Sequence, residues 1–172
     1  PRSTLFPYPT LFRSVLAILG GSGLYDMPGL ERVEEIAVET PYGAPSDTVV
    51  RGYLGNTALL FLPRHGRGHR VPPHGINFRA NVCALKKLGA THLVSVSAVG
   101  SMKESIAPGD LVVVDQYIDL TKRRVSTFFD EVVAHVSVAD PVCPDLAAAL
   151  GDAATGVHKN GQIGVHRGGT YV

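Results

Sequence analysis

Residues 15–23 read VLAILGGSG, and this stretch decides the fold class of the chain. Five consecutive apolar residues predict a β-strand over 15–19, and an unbroken apolar run is typical of a parallel sheet covered on both faces. The run ends in a glycine-rich turn, where backbone N–H groups and the Ser22 hydroxyl can cradle an anion. A plain structural turn explains the glycines equally well. Because the motif is not G-x-G-x-x-G and no Walker lysine follows, the common nucleotide-binding fingerprints are excluded.

Further strands and helices follow along the chain. The predicted strands cover residues 47–54, 57–62, 92–97, 110–115 and 162–172. The first two are separated by Gly55-Asn56, which predicts a hairpin. Helices are predicted over 77–88 and 144–154, the former followed by Gly89, a suitable residue to end it. Alternation of apolar strands with helices predicts a layered α/β fold.

Composition limits the class of protein. The chain has 172 residues, 45% of them hydrophobic and 18% charged, which is typical of a globular α/β domain with a sizeable core. A formal net charge of +1 without a basic run argues against nucleic-acid or anionic-membrane partners. No apolar segment approaches transmembrane length. Cys83 and Cys143 lie far apart in apolar contexts, which predicts free thiols in a reducing, cytoplasmic compartment.

The two ends of the chain are unusual. Residues 1–14 (PRSTLFPYPTLFRS) contain three prolines, no alternation and no helix cap, and they lack the features of a signal peptide. They resemble a translated sequencing adapter, and we interpret them as an artefactual extension outside the fold. At the other end, a strand-like run stops on Tyr171-Val172. We therefore expect residues 15–172 to be the N-terminal part of a single longer domain.

A second strand-like run leads into a basic turn. Residues 59–69 read LLFLPRHGRGH, so that Arg64, His65 and Gly66 follow directly on the strand and its proline. In open α/β sheets, ligands bind outside the carboxyl ends of the strands. A guanidinium fork there can bond two oxygens of an anion and an imidazole a third, while the glycine lets the backbone come close.

A third turn, Ser97-Ala98-Val99-Gly100-Ser101, follows the strand predicted over 92–97. Small residues can simply allow the chain to turn, but the Ser97 hydroxyl and the Ala98 N–H would face the same crevice. Each of the three turns is ordinary when taken alone. Because all three follow strands at the carboxyl end, we predict one oxyanion site formed by Ser22, Arg64, His65, Ser97 and Ala98.

Other residues offer weaker evidence for a functional site. His65, His69 and His74 suggest a metal site by their spacing, but the loop holds no carboxylate or cysteine and Pro72-Pro73 breaks the helix that would align them. His135 is flanked by valines, which is typical of a core or interface residue in an apolar strand. Aspartates such as Asp115 and Asp119 at strand ends usually cap turns, and we assign them no catalytic role.

Several motifs together resemble a known family. They are GGSGLYD, ETPYGAPSD, LPRHGRGH, PPHGINFRAN, ALKKLGATH, SAVGSMKESIAPGDLVVVDQYID and STFF. In order and spacing these motifs strongly resemble the S-methyl-5′-thioadenosine phosphorylases, which belong with the trimeric purine nucleoside phosphorylases. The resemblance covers residues 15–172. It implies a layered α/β phosphorylase-type fold with a mixed central β-sheet flanked by helices, incomplete at the C-terminus.

The resemblance also implies a reaction, the phosphorolysis of 5′-methylthioadenosine to adenine and 5-methylthioribose 1-phosphate in a cytoplasmic homotrimer. Inorganic phosphate is a co-substrate, and neither a cofactor nor a metal is implied. Carried over by position, the phosphate-binding residues are Ser22, Arg64, His65, Ser97 and Ala98. A histidine that a neighbouring subunit contributes to the methylthioribose pocket matches His135.

Part of the family's machinery has no match in this chain. An E-G-P-x-F segment, a methionine-threonine pair and the aspartate that protonates the purine follow, in the family, the position of Val172. The resemblance therefore implies no catalytic acid within the chain, and we expect the chain by itself to be inactive. Three alternatives stay open: a substrate such as methylthioinosine or other purine nucleosides, a nucleosidase that uses water, and a non-catalytic phosphate- or nucleoside-binding protein.

Overall fold

The structure, a computed structural model, describes residues 14–21, 27–122, 124–157 and 163–172. The chain divides into two compact units, the first ending at Ala98 and the second beginning at Val99. Among the described residues, no helix is both long enough and apolar enough to cross a membrane.

The first unit is built on a five-stranded sheet. Its strands are β1 (Val15–Gly20), β2 (Glu31–Ile36), β3 (Val49–Leu54), β4 (Thr57–Pro63) and β5 (His92–Ser95), in the spatial order β2-β3-β4-β1-β5. β4, β1 and β5 run parallel, whereas β2-β3 and β3-β4 pair antiparallel. The expectation of a mixed sheet is confirmed. The predicted hairpin is also confirmed, with Leu54 opposite Thr57.

Helix α1 (Phe78–Lys87) covers one face of this sheet. Its first turn is capped by Asn77, whose side-chain oxygen accepts a hydrogen bond from the Ala80 amide at 3.1 Å. Gly89 follows the helix with a φ of +92°, as the sequence predicts for a helix end. The core between helix and sheet consists of Ala17, Leu19, Val49, Leu60, Leu62, Ala84 and Leu85.

The opposite face of the sheet has a second apolar cluster. Its buried members are Val50, Leu59 and Phe61, and Leu16, Ile18, Met27 and Leu30 pack against them. Successive residues of a strand point to opposite faces. Because both faces of β1 and β4 are covered, β1 and all of β4 after the exposed Thr57 are free of polar side chains, which is the pattern that residues 15–19 predict.

The second unit contains helix α2 and four short strands. Its elements are β6 (Leu111–Val113), β7 (Gln116–Tyr117), α2 (Pro144–Val157), β8 (Val165–Arg167) and β9 (Thr170–Tyr171). β6 pairs with β8 and β7 with β9, both in parallel, and α2 contacts β6 and β8. A carboxylate connects the two strands of the first pair, since Asp110 accepts hydrogen bonds from the Gly164 amide at 2.7 Å and from the His166 ring at 2.8 Å.

Some boundaries differ from the sequence prediction. β2 was not predicted, because an edge strand with largely exposed, charged residues has no apolar alternation to reveal it. The strand predicted over 110–115 is confined to β6, and the run over 162–172 holds two strands, β8 and β9. The expectation of a strand at His135 is wrong: residues 124–143 have no helix or strand, and His135 is exposed.

Candidate anion-binding site

The carboxyl ends of three parallel strands meet at one edge of the first unit's sheet. Gly20 of β1 is opposite Pro63 of β4, and Leu19 is opposite Ser95 of β5. The bonding to β1 continues one residue beyond each neighbouring strand: the Arg64 amide donates to the Gly20 carbonyl at 2.8 Å, and the Val96 amide donates to the Leu19 carbonyl at 2.9 Å. The three turns that the sequence singles out therefore begin side by side, in the position where open α/β sheets bind ligands.

Arg64 and Ser97 contact each other directly across this edge. The Arg64 Nη1 donates a hydrogen bond to the Ser97 Oγ at 2.8 Å, and the same nitrogen lies 3.4 Å from the Val96 carbonyl. Because the hydroxyl oxygen accepts from the guanidinium, the Ser97 O–H is left to donate elsewhere. A half-buried cation and an exposed hydroxyl thus form two adjacent donors for one anion.

The ring of His65 is held by the far side of its own loop. Its Nδ1 lies 2.9 Å from the Val71 carbonyl, and the Val71 amide donates to the His65 carbonyl at 2.9 Å. A carbonyl can only accept, so Nδ1 carries the hydrogen of this bond. Nε2 is then the ring nitrogen available to a ligand: it can accept from a protonated anion oxygen, or donate to an anion when the ring is charged.

Glycines give this loop its conformation. Gly66 is buried and has a φ of +68°, and Gly68 has a φ of +73°, both in the left-handed region that favours glycine. The His65 and His69 rings stack with centroids 5.5 Å apart. Within the part of the chain that the structure describes, no three His, Cys, Asp or Glu side chains are grouped as metal ligands would be.

The other residues that the sequence singles out lie at different places in the structure. Ser22 lies outside the described residues. Ala98 follows Ser97 directly and is exposed, and His135 lies in the second unit. Asp119 caps a turn, as expected, by accepting from the Thr121 amide at 2.9 Å and the Thr121 hydroxyl at 2.6 Å.

Sequence reasoning missed Asp47. This largely buried carboxylate accepts a hydrogen bond at 2.7 Å from the amide of Arg67, inside the loop that carries Arg64 and His65. The two residues are twenty positions apart, and nothing in a lone aspartate after a serine indicates which loop it contacts. The ETPYGAPSD motif that ends on Asp47 was the only signal available.

The fold and the site define a class of protein, and comparison with known proteins agrees with it. Residues 15–172 match the family model of the Phosphorylase superfamily, and the chain belongs to that family. Within it, the chain is similar to S-methyl-5′-thioadenosine phosphorylase from Geobacter sulfurreducens, with 55% identity over 92% of this chain and 54% of the relative. The enzyme of the same name from Hyperthermus butylicus is 52% identical over 97% of this chain and 60% of the relative.

Solved structures agree with the sequence relatives. A methylthioadenosine phosphorylase from an antarctic soil metagenomic library superposes with a TM-score of 0.88 at 49% identity, covering 94% of this chain and 56% of that structure. The Schistosoma mansoni methylthioadenosine phosphorylase in complex with adenine gives 0.83 at 38% identity, covering 91% and 63%. The resemblance read from the motifs is thereby confirmed. The chain spans little more than half the length of these relatives.

Proposed function

We propose that this chain, continued to the length of its relatives (hereafter the full-length protein), catalyses the phosphorolysis of 5′-methylthioadenosine. The products are adenine and 5-methylthioribose 1-phosphate. The observation that carries the proposal is the hydrogen bond of 2.8 Å between Arg64 and Ser97, which places a cation and a hydroxyl together at the ligand-binding edge of the sheet. The identity of 55% to a relative named for this activity supports the same substrate.

In this proposal the chain's residues act on phosphate. Arg64 and Ser97 donate hydrogen bonds to it, His65 contacts it through Nε2, and the Ser22 hydroxyl and the Ala98 N–H complete the set. Breaking the N-glycosidic bond builds positive charge on the ribose ring, and a phosphate dianion beneath the reacting carbon stabilises that charge before attacking it. The residues therefore contribute position and preorganised electrostatics, and no covalent enzyme intermediate is needed.

The proposal extends to partners. The full-length protein works in the cytoplasm as a homotrimer, with phosphate as co-substrate and without a cofactor or metal. His135 then acts in the methylthioribose pocket of a neighbouring subunit. Its exposure on a segment without regular secondary structure is compatible with a role at a subunit boundary, since an exposed histidine is free to be covered by a second chain.

Phosphate dependence is the direct test. The full-length protein is incubated with methylthioadenosine in the presence and absence of inorganic phosphate, and adenine release is followed together with formation of the sugar phosphate. We expect adenine release only with phosphate, one sugar phosphate appearing for each adenine. Release of free methylthioribose without phosphate would identify a nucleosidase, and tight phosphate binding without turnover would identify a binding protein; either result would contradict the proposal.

A further inference from the structure

Among the described residues, two carboxylates hold the loop that carries Arg64 and His65 from outside: Glu35 pairs with the Arg67 side chain at 2.7 Å, and Asp47 bonds the backbone of the loop. Asp47 accepts hydrogen bonds from the Arg67 amide at 2.7 Å through Oδ2 and from the Thr48 amide at 2.8 Å through Oδ1. The Arg70 guanidinium lies 3.3 Å from the same Oδ2. Only 10% of the Asp47 side chain is exposed, whereas 70% of the Arg70 side chain is, so the two hydrogen bonds from backbone amides are better shielded from water than the contact with Arg70.

The Asp47 carboxylate is charged at neutral pH. Burial alone would raise its pKa, but hydrogen bonds from the Arg67 and Thr48 amides, together with the positive charges of Arg67 and Arg70, lower the pKa below its ordinary value. The negative charge of Asp47 is thus balanced by two amide donors and two nearby guanidinium groups. Asp47 is therefore suited to hold the backbone of the loop and not to bind an anion itself.

The backbone of the loop lies directly on the segment that contains Asp47. A Cβ on Gly66 would be 3.0 Å from the Ser46 carbonyl oxygen and 3.6 Å from Asp47 Oδ2. On its other side the loop is closed by the reciprocal bonds between His65 and Val71. Residues 65–71 therefore form one closed turn, and Asp47 is bonded to the middle of it.

Helix α1 holds this segment in turn. Asn81 is fully buried; its Oδ1 accepts from the Ser46 amide at 2.7 Å, and its Nδ2 donates to the Ser46 Oγ at 3.0 Å. Buried polar groups with all partners in place have little freedom to rearrange. An unbroken series of bonds thus runs from α1 through Ser46 and Asp47 to the Arg67 amide, three residues from Arg64.

We infer that Asp47 is a positioning residue for phosphate, which acts by holding the Arg64-His65 loop in its binding conformation. The inference rests on the proposed function for the identity of the anion. Its physical reason is that donors for an anion must be correctly placed before the anion arrives, and an error of about 1 Å can cost a hundredfold in rate. Removing Asp47 frees the loop without removing any donor to phosphate.

The test compares Asp47→Ala and Asp47→Asn with Glu34→Gln in the full-length protein. Glu34 is an exposed carboxylate whose hydrogen bond in the described part of the chain is to Arg51 at 3.1 Å, so its substitution removes one surface charge and one surface ion pair away from Asp47. Binding of inorganic phosphate is measured by calorimetry. KM is measured separately for phosphate and for methylthioadenosine, and thermal unfolding reports whether each variant is folded.

We expect Asp47→Ala to raise the Kd and KM for phosphate by about tenfold or more, with the KM for the nucleoside close to that of Glu34→Gln. Asp47→Asn keeps one oxygen acceptor but loses the charge, and a smaller increase is expected. If Asp47→Ala does not fold, the phosphate Kd and KM of Asp47→Asn test the inference in its place. A phosphate Kd equal to that of Glu34→Gln would overturn the inference, as would equal increases in both KM values, because general loosening affects both substrates.

The same measurements distinguish failure of the proposed function from failure of the inference about Asp47. If the unsubstituted full-length protein binds phosphate but consumes no methylthioadenosine, the proposed function is wrong, and the phosphate Kd values still decide the role of Asp47. If it binds no phosphate at all, both the function and the inference are overturned.

Discussion

Arg64 is the residue on which the candidate site depends most. Its guanidinium lies at the carboxyl ends of the parallel strands and donates a hydrogen bond to Ser97 at 2.8 Å. In the full-length protein we expect Arg64→Ala to lower kcat/KM for phosphate by the equivalent of about 2–4 kcal/mol, as the loss of one preorganised donor does in other enzymes. Steady-state kinetics with phosphate as the varied substrate measure this loss.

Arg51→Ala is the matched control for that measurement. Arg51 lies on β3 and pairs only with the exposed Glu34 in the described part of the chain, at 3.1 Å. A surface pair of this kind contributes about 0–1 kcal/mol to stability, and kcat/KM should not change. If Arg51→Ala and Arg64→Ala had the same effect, Arg64 would have no special place in the site.

Gly66 offers a second test at the scale of one residue. Both Gly66 and Gly68 have positive φ, but a Cβ on Gly66 meets the Ser46 carbonyl at 3.0 Å whereas one on Gly68 meets nothing within 4 Å. We expect Gly68→Ala to lower the free energy of unfolding by about 1–2 kcal/mol through backbone strain alone. Gly66→Ala should cost more and should also weaken phosphate binding.

Urea unfolding and phosphate calorimetry on the two glycine variants separate strain from displacement of the loop. Equal losses of stability, with phosphate affinity unchanged in both, would mean that the close approach of Gly66 to Ser46 has no role in placing the loop.

At the scale of an element, α1 contributes side chains to the core and also holds Ser46 through Asn81. Leu85 is 2% exposed and packs in the core between helix and sheet, whereas Val82 on the same helix is 36% exposed. Leu85→Ala should lower the free energy of unfolding by about 2–5 kcal/mol because it removes buried methyl groups and leaves a cavity. Val82→Ala should change stability by no more than about 0.5 kcal/mol.

Chemical denaturation of both helix variants measures this difference. Similar losses from Leu85→Ala and Val82→Ala would contradict the packing of α1 against the sheet. The same helix places Asn81 against Ser46, so a displaced α1 would also disturb the segment that holds the Arg64-His65 loop.

Elements differ in how well sequence predicts them, for a reason that β1 and β2 illustrate. β1 is covered on both faces, and burial imposes an apolar residue at every position. β2 is an edge strand whose residues are mostly exposed, and it is specified by backbone hydrogen bonds to β3. Hydrogen bonds between backbones leave no trace in side-chain chemistry, so β2 could not be predicted.

At the scale of the whole molecule, acid should destabilise the chain. The Asp110 pKa is lowered by hydrogen bonds from the His166 ring and from the Gly164 and Ala107 amides. The Asp119 pKa is lowered by Thr121, and the Asp47 pKa is also below its ordinary value. When a folded-state pKa is below the unfolded one, the unfolded state binds more protons, so stability is present above the unfolded pKa and is lost as pH falls through the folded one.

We therefore expect the free energy of unfolding to be level near neutral pH and to fall steadily below about pH 4, where carboxyls protonate in the unfolded chain. Urea titrations at several pH values measure it. Asp110→Asn should make the fall shallower, because one of the protonating groups is gone. A fall of the same steepness in that variant would remove Asp110 from the explanation.

Activity is also a property of the whole molecule. The chain spans 54% of the length of the Geobacter sulfurreducens relative, and we expect the rest of the full-length protein to supply the group that protonates the purine. We expect purified residues 15–172 to release no adenine from methylthioadenosine and phosphate under conditions in which the full-length protein does. Turnover by residues 15–172 at the rate of the full-length protein would contradict this expectation.

The sequence by itself determined the buried strands, the hairpin, the capped helix and the placement of Arg64 and Ser97 after parallel strands. Each of these follows from a local cause: burial on both faces of a strand, a turn that requires glycine, or a cap within a few residues. Only the tertiary structure revealed that Asp47 is bonded to the Arg67 amide and Asn81 to Ser46. Those contacts join residues 20 and 35 positions apart, and the chemistry of an isolated aspartate or asparagine does not say which distant backbone group the fold will bring to it.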